Sequence, residues 1–108
     1  MRSALAAAAL LFDAGLYFEV HELLEPHWAA ASGDTRAALQ GLIQIAVGWQ
    51  HRANGNAVGA RALLADGAAR LHRGRVAGVD LDDFARATLE AAAREADARP
   101  PAFPRVPL

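Results

Sequence analysis

His21, Glu22 and Glu25 stand at positions i, i+1 and i+4 of the stretch YFEVHELLEPHW, residues 17–28. Imidazole and carboxylate both suit divalent first-row metals, and side chains four apart on a helix point the same way. His21 and Glu25 therefore qualify as ligands of one divalent ion, with His51 as a third. The spacing departs from the zinc-protease pattern H-E-x-x-H, because Glu25 stands where the second histidine belongs. The same residues also suit a hydrogen-bonded seam inside a helical bundle, with Glu25 accepting from His21, Gln44 or an arginine such as Arg61. The seam is the favoured reading, since buried polar groups must be satisfied whether or not they do chemistry. It needs no cofactor, whereas the alternative needs a divalent metal.

Two helices must position these groups. At roughly 100° per residue, Leu16, Tyr17, Val20, Leu23, Leu24 and Trp28 share one broad face. His21 and Glu25 sit at its edge, while Glu19 and Glu22 point away. The next helical stretch, RAALQGLIQIAVGWQHRA, is apolar nearly all round, which places it centrally in a bundle. Gln40, Gln44 and His51 form a narrow polar stripe on it. A short turn between the two helices makes them antiparallel neighbours. The stripe can then face His21 and Glu25 in one polar cluster walled by Tyr17 and Trp28. Gly41 and Gly48 would let another element approach closely. Both Trp28 and Trp49 are expected to be mostly buried.

Around this pair the chain reads as a single-domain, all-α bundle of about five helices. A first helix capped by Ser3 runs to about Asp13 and ends at Gly15. Pro26 should kink or restart the second helix, because it lacks an N–H for the carbonyl of Glu22. Asp34 is a cap for the third helix, and Asn56 for a fourth spanning about Ala57 to Arg73. RGRVAGVD reads as a loop. Asp80 then caps a fifth helix from Leu81 to about Ala98, with Asp82 and Asp83 in its first turn. No stretch alternates with period two for long enough to suggest a strand. The bundle spans residues 1–98. Residues 99–108 are proline-rich and are expected to lie extended across it through Phe103, Val106 and Leu108.

Three motifs occur in order: FEVHELLEPHW, QGLIQIAVGWQH and GNAVGA. Together they resemble domain-of-unknown-function family 309, a group of small all-helical prokaryotic proteins. The matching positions are Glu19, His21, Glu22, Glu25 and Trp28, then Gln40, Gly41, Leu42, Ile43, Gln44 and His51, then Gly55, Asn56, Gly59 and Ala60. The resemblance runs from about Phe12 to Leu71. It implies an all-α bundle and no particular activity. Pro26 beside Glu25 departs from the pattern.

Composition narrows the partners. The chain has 108 residues, enough for one domain, and 28 of them are alanine, which favours helix but buries little area. There is no cysteine, which excludes disulfides, thiolate metal sites and cysteine nucleophiles. Net charge is −1, so no global field attracts nucleic acid or membrane. Arg52, Arg61, Arg70, Arg73 and Arg75 face only Asp66 in their segment. They lack an aromatic platform for nucleic acid and read as a solvated face. The N-terminal apolar run is followed by Phe12 and Asp13 without a small-x-small cleavage site, so it reads as helix rather than signal peptide. No run approaches the roughly 20 residues of a membrane span. The expected protein is a cytoplasmic, non-catalytic binding or self-association module. Its simplest assembly is a two-fold homodimer through an alanine- and glycine-rich face. The alternative is a metal-dependent hydrolase or small-ligand site at His21, Glu25, Gln44 and His51.

Overall fold

The computed structural model describes residues 1–94 and 99–107. Among them are five helices: α1 (Arg2–Asp13), α2 (Tyr17–Ala30), α3 (Gly33–Ala53), α4 (Ala57–Leu71) and α5 (Asp82–Ala92). The chain is therefore an all-α bundle. α3 is the longest helix and packs against both α2 and α4.

Two of the joints are built by the same backbone device. At the end of α1, Gly15 at φ +80° lets its own N–H bond the carbonyl of Phe12 and the N–H of Leu16 bond that of Leu11. At the end of α3, Gly55 at φ +85° does the same, and Asn56 N–H reaches the carbonyl of His51 at 2.8 Å. This paired closure satisfies the last helical carbonyls and needs a left-handed residue, which glycine adopts without strain. Asn56 then begins α4, its side-chain oxygen accepting from Gly59 N–H at 3.0 Å, as expected of a cap.

Other boundaries depart from expectation. Ser3 lies inside α1, because Leu5 N–H already bonds the carbonyl of Met1. Ser32, not Asp34, is the N-cap residue of α3, with Asp34 in its first turn. α2 runs through Pro26 without stopping. Pro26 and Glu22 are both exposed, so water can take the carbonyl bond that proline leaves open. α4 ends at Leu71, and α5 starts at Asp82, where Asp80 Oδ1 accepts from Asp82 N–H at 2.9 Å. α5 ends at Ala92, with Ala93 as its C-cap, rather than running to about Ala98 as expected; Ala98 itself and Leu108 lie outside the described residues.

The segment expected to be a loop is a minimal antiparallel hairpin, β1 (Arg75–Val76) and β2 (Val79–Asp80). Ala77 and Gly78 both have positive φ, +52° and +80°, the conformation of a two-residue turn matched to strand twist. Its register sets Arg75 opposite Asp80 and buries Val76 and Val79. Two residues per strand are too few for a period-two pattern to show in sequence.

The core is aromatic at one end. Phe12 of α1 stands 5.2 Å from Tyr17, 5.8 Å from Phe84 of α5 and 5.1 Å from Phe103, between ring centroids. Phe103 is buried, its N–H donating to Asp13, and Arg105 pairs with the same carboxylate. Between α3 and α4 the packing is instead almost backbone on backbone. A Cβ on Gly41 would lie 2.7 Å from the carbonyl oxygen of Gly67, and one on Gly48 would lie 2.9 Å from the Leu64 side chain.

Candidate functional site on helix α2

The α2 backbone brings three donors together. His21 Nε2 lies 3.0 Å from Glu25 Oε2, one helical turn on. Glu22, expected to point away, is exposed and still belongs to the group: ligand atoms of His21, Glu22 and Glu25 all lie within 4.8 Å of one another. No other group of three such residues occurs among the described residues. The His21 side chain is 31% exposed and that of Glu25 53%, so the site lies at the rim of the bundle rather than in its core. The ring of Phe18, one turn earlier, meets the His21 imidazole edge to face at 6.1 Å.

One nitrogen and two carboxylates form a donor set for a divalent ion. Donors around one ion at about 2.1 Å can be at most about 4.2 Å apart, so modest side-chain rotation would close the set. Coordination would be completed by water, since all three donors come from one face of one helix.

His51 is not in this group. α2 and α3 are antiparallel across a short turn, which sets His21 level with about residue 43. His51 lies about eight residues, roughly 12 Å, further along α3. There its Nδ1 meets Asn56 Nδ2 at 3.5 Å, at the joint with α4. α3 has 21 residues and α2 only 14, so the end of α3 outruns its neighbour.

The glutamines do not join the pair by hydrogen bonds either. Gln44 has its Cβ against the backbone of Gly67 in α4, where an added methyl would approach it to 3.2 Å. Its Oε1 is buried without a partner among the described residues. Gln40 is half-buried. Among the described residues, Glu25 accepts from neither Gln44 nor Arg61, and His21 is its one polar contact.

Of the two wall residues, Tyr17 packs on Phe12, and its phenol is pushed above its ordinary pKa by burial and then by the nearby Asp13 carboxylate. Trp28 is only partly buried and carries the Arg36 guanidinium 4.3 Å over its ring. Trp49 meets the expectation of burial, at 3% exposure.

Sequence reading passed over two residues that stand out on the folded surface. Phe18 is 58% exposed on α2 and Val58 84% on α4. Three residues before His21, Phe18 already shares its side of the wheel, which is the signal that would have found it.

No helix among the described residues is long and apolar enough to cross a membrane. Neither the curated proteins nor the solved structures contain a significant match to the chain. The profile of the family described as domain of unknown function (DUF309) matches residues 5–63. That span covers more than half of the chain, includes all three motifs and the His21–Glu22–Glu25 group, and shows that the chain belongs to this family.

Proposed function

We propose that the chain is a small cytoplasmic helical module that works by self-association and performs no catalysis. The observation that supports this reading is the outward face of α4. Val58, Ala62, Ala65 and Ala69 follow one another at helical spacing, and all are exposed. The inward face, with Ala60, Leu64, Gly67, Ala68 and Leu71, is buried against the rest of the bundle. A helix apolar on both sides normally has a partner on both sides. The glycines expected to pair two copies are consumed inside the chain, at the α3–α4 contact, which leaves the outer face of α4 as the surface to cover. Light scattering at tens of micromolar, an order of magnitude suited to weak pairs, tests the reading: association gives a mass above that of one chain. Monomer mass throughout, with an unchanged melting temperature on dilution, would refute it.

A second reading has its own support in the three donors on α2. A divalent ion held by His21, Glu22 and Glu25, with water completing its shell, would make this a metal-dependent hydrolytic or small-ligand site. Titration of metal-free protein with zinc or manganese tests it. Stoichiometric binding that raises the melting temperature and disappears in Glu22→Gln supports the reading, and no binding at millimolar metal ends it.

A further inference from the structure

The net charge of −1 conceals two opposed faces. On α2, Glu19, Glu22 and Glu25 are all exposed around Phe18. Among the described residues, Glu19 and Glu22 make no ion pair. On α4, Arg61 and Arg70 are exposed at the two edges of the apolar face, with Asp66 exposed on the Arg70 side, and neither arginine pairs with an acid among the described residues. Of the other arginines of that region, Arg73 lies beyond the end of α4 and two are committed. Arg52 donates to the carbonyl of Ala91, and Arg75 pairs with Asp80 at 3.5 Å. The Arg36 guanidinium nearest α2 is stacked on Trp28.

We infer that the self-association just proposed runs through the acidic, Phe18-centred face of α2 in one copy and the arginine-edged face of α4 in the next. This rests on the self-association reading and names its surfaces. Like-on-like pairing is disfavoured by charge. Two α4 helices would bring together two faces that each carry two arginines against one aspartate. Two α2 helices would set three carboxylates against three. Crossed pairing turns both repulsions into attractions and covers Phe18 and Val58 with apolar surface. The helices match in length, at 14 and 15 residues.

α2 and α4 both pack on α3 and make little contact with each other, so they occupy different sides of the molecule. The contact is therefore heterologous. Each added copy leaves one α2 face and one α4 face open, and assembly continues past the two-fold dimer.

The test uses the full chain in three forms: unaltered, Glu19→Arg/Glu22→Arg, and Arg61→Glu/Arg70→Glu. All four positions are exposed, and circular dichroism checks the fold. Mass is read by sedimentation and light scattering. The unaltered chain should associate at low salt and weaken at least about tenfold between roughly 20 and 500 mM salt. Each variant alone should be monomeric, because its two faces now repel. An equimolar mixture should associate again, because the reversed faces complement each other. Association of either variant by itself, or a mixture that stays monomeric, overturns the crossed contact. Salt-insensitive association retained in both variants overturns it while leaving self-association intact. A monomeric unaltered chain at low salt overturns both. The salt series on the unaltered chain decides the matter alone should either variant misfold.

Discussion

Gly41→Ala perturbs the contact on which the bundle most depends. The new Cβ would lie 2.7 Å from the Gly67 carbonyl oxygen, 2.8 Å from the Leu71 side chain and 3.1 Å from Arg70 Cβ. An ordinary carbon–oxygen contact is about half an ångström longer, and the closest atom is backbone, which cannot rotate away. α3 and α4 must therefore part along a stretch that includes Ile45 and Leu64, both buried. Overpacking of this kind costs about 1–3 kcal/mol. Replacing a mid-helix glycine by alanine returns up to about 1 kcal/mol of helix propensity. The net expectation is a loss of about 1–2 kcal/mol, or roughly 5–10 °C in melting temperature for a domain of this size. Denaturant unfolding measures it. The reciprocal change, Gly67→Ala, would press on Gly41 O and Ile45 at 2.8 Å and should cost a similar amount. Once one methyl has parted the helices, the second finds room, so the double variant should be less destabilised than the sum by about 0.5 kcal/mol or more. A stabilised Gly41→Ala, or strict additivity of the pair, would refute the close contact.

Tyr17 is the chain's one tyrosine, so phenolate absorbance reports it alone. Burial raises its pKa above 10.0, so the folded state keeps a proton that the unfolded state loses. That contribution is intact below the ordinary value and is lost as pH rises through the folded value. The stability of the unaltered chain should fall in this window more steeply than that of Tyr17→Phe; parallel curves would contradict the shift. Asn56→Ala removes the α4 cap and should cost about 1 kcal/mol in denaturant midpoint measurements. Trp49→Ala should cost about 3–5 kcal/mol. Trp28→Ala should cost less, since that ring is only partly buried, and equal losses would argue against the difference. Glu25→Gln should change stability by at most about 1 kcal/mol, because its pair with His21 is half-exposed. A larger loss measured in metal-free protein would show a buried partner.

Much of the local structure was written in the chain itself. Gly15 and Gly55 end helices because their neighbours bond the last carbonyls only through a left-handed residue, and Asn56 caps because its side chain reaches Gly59 N–H. These are interactions over a few residues, and the order of residues determines them. The helical period likewise placed His21 beside Glu25 and made α3 the central helix. What the tertiary structure decided was how far each helix extends beside its neighbour and which way it is turned. His51 shares a stripe with Gln40 and Gln44, yet α3 outruns α2 and leaves it at the α4 joint beside Asn56. Gln44 is at the right level, but α4 approaches so closely at Gly67 that the Gln44 Cβ lies against that backbone. Pro26 reads as a break, but Pro26 and Glu22 both lie on the exposed side of the helix, where water can replace the missing bond, and α2 continues. Periodicity gives an angle around one helix axis. The offset and separation between axes come from the volumes of side chains that meet only after folding, and at Gly41 and Gly67 that volume is nearly nothing.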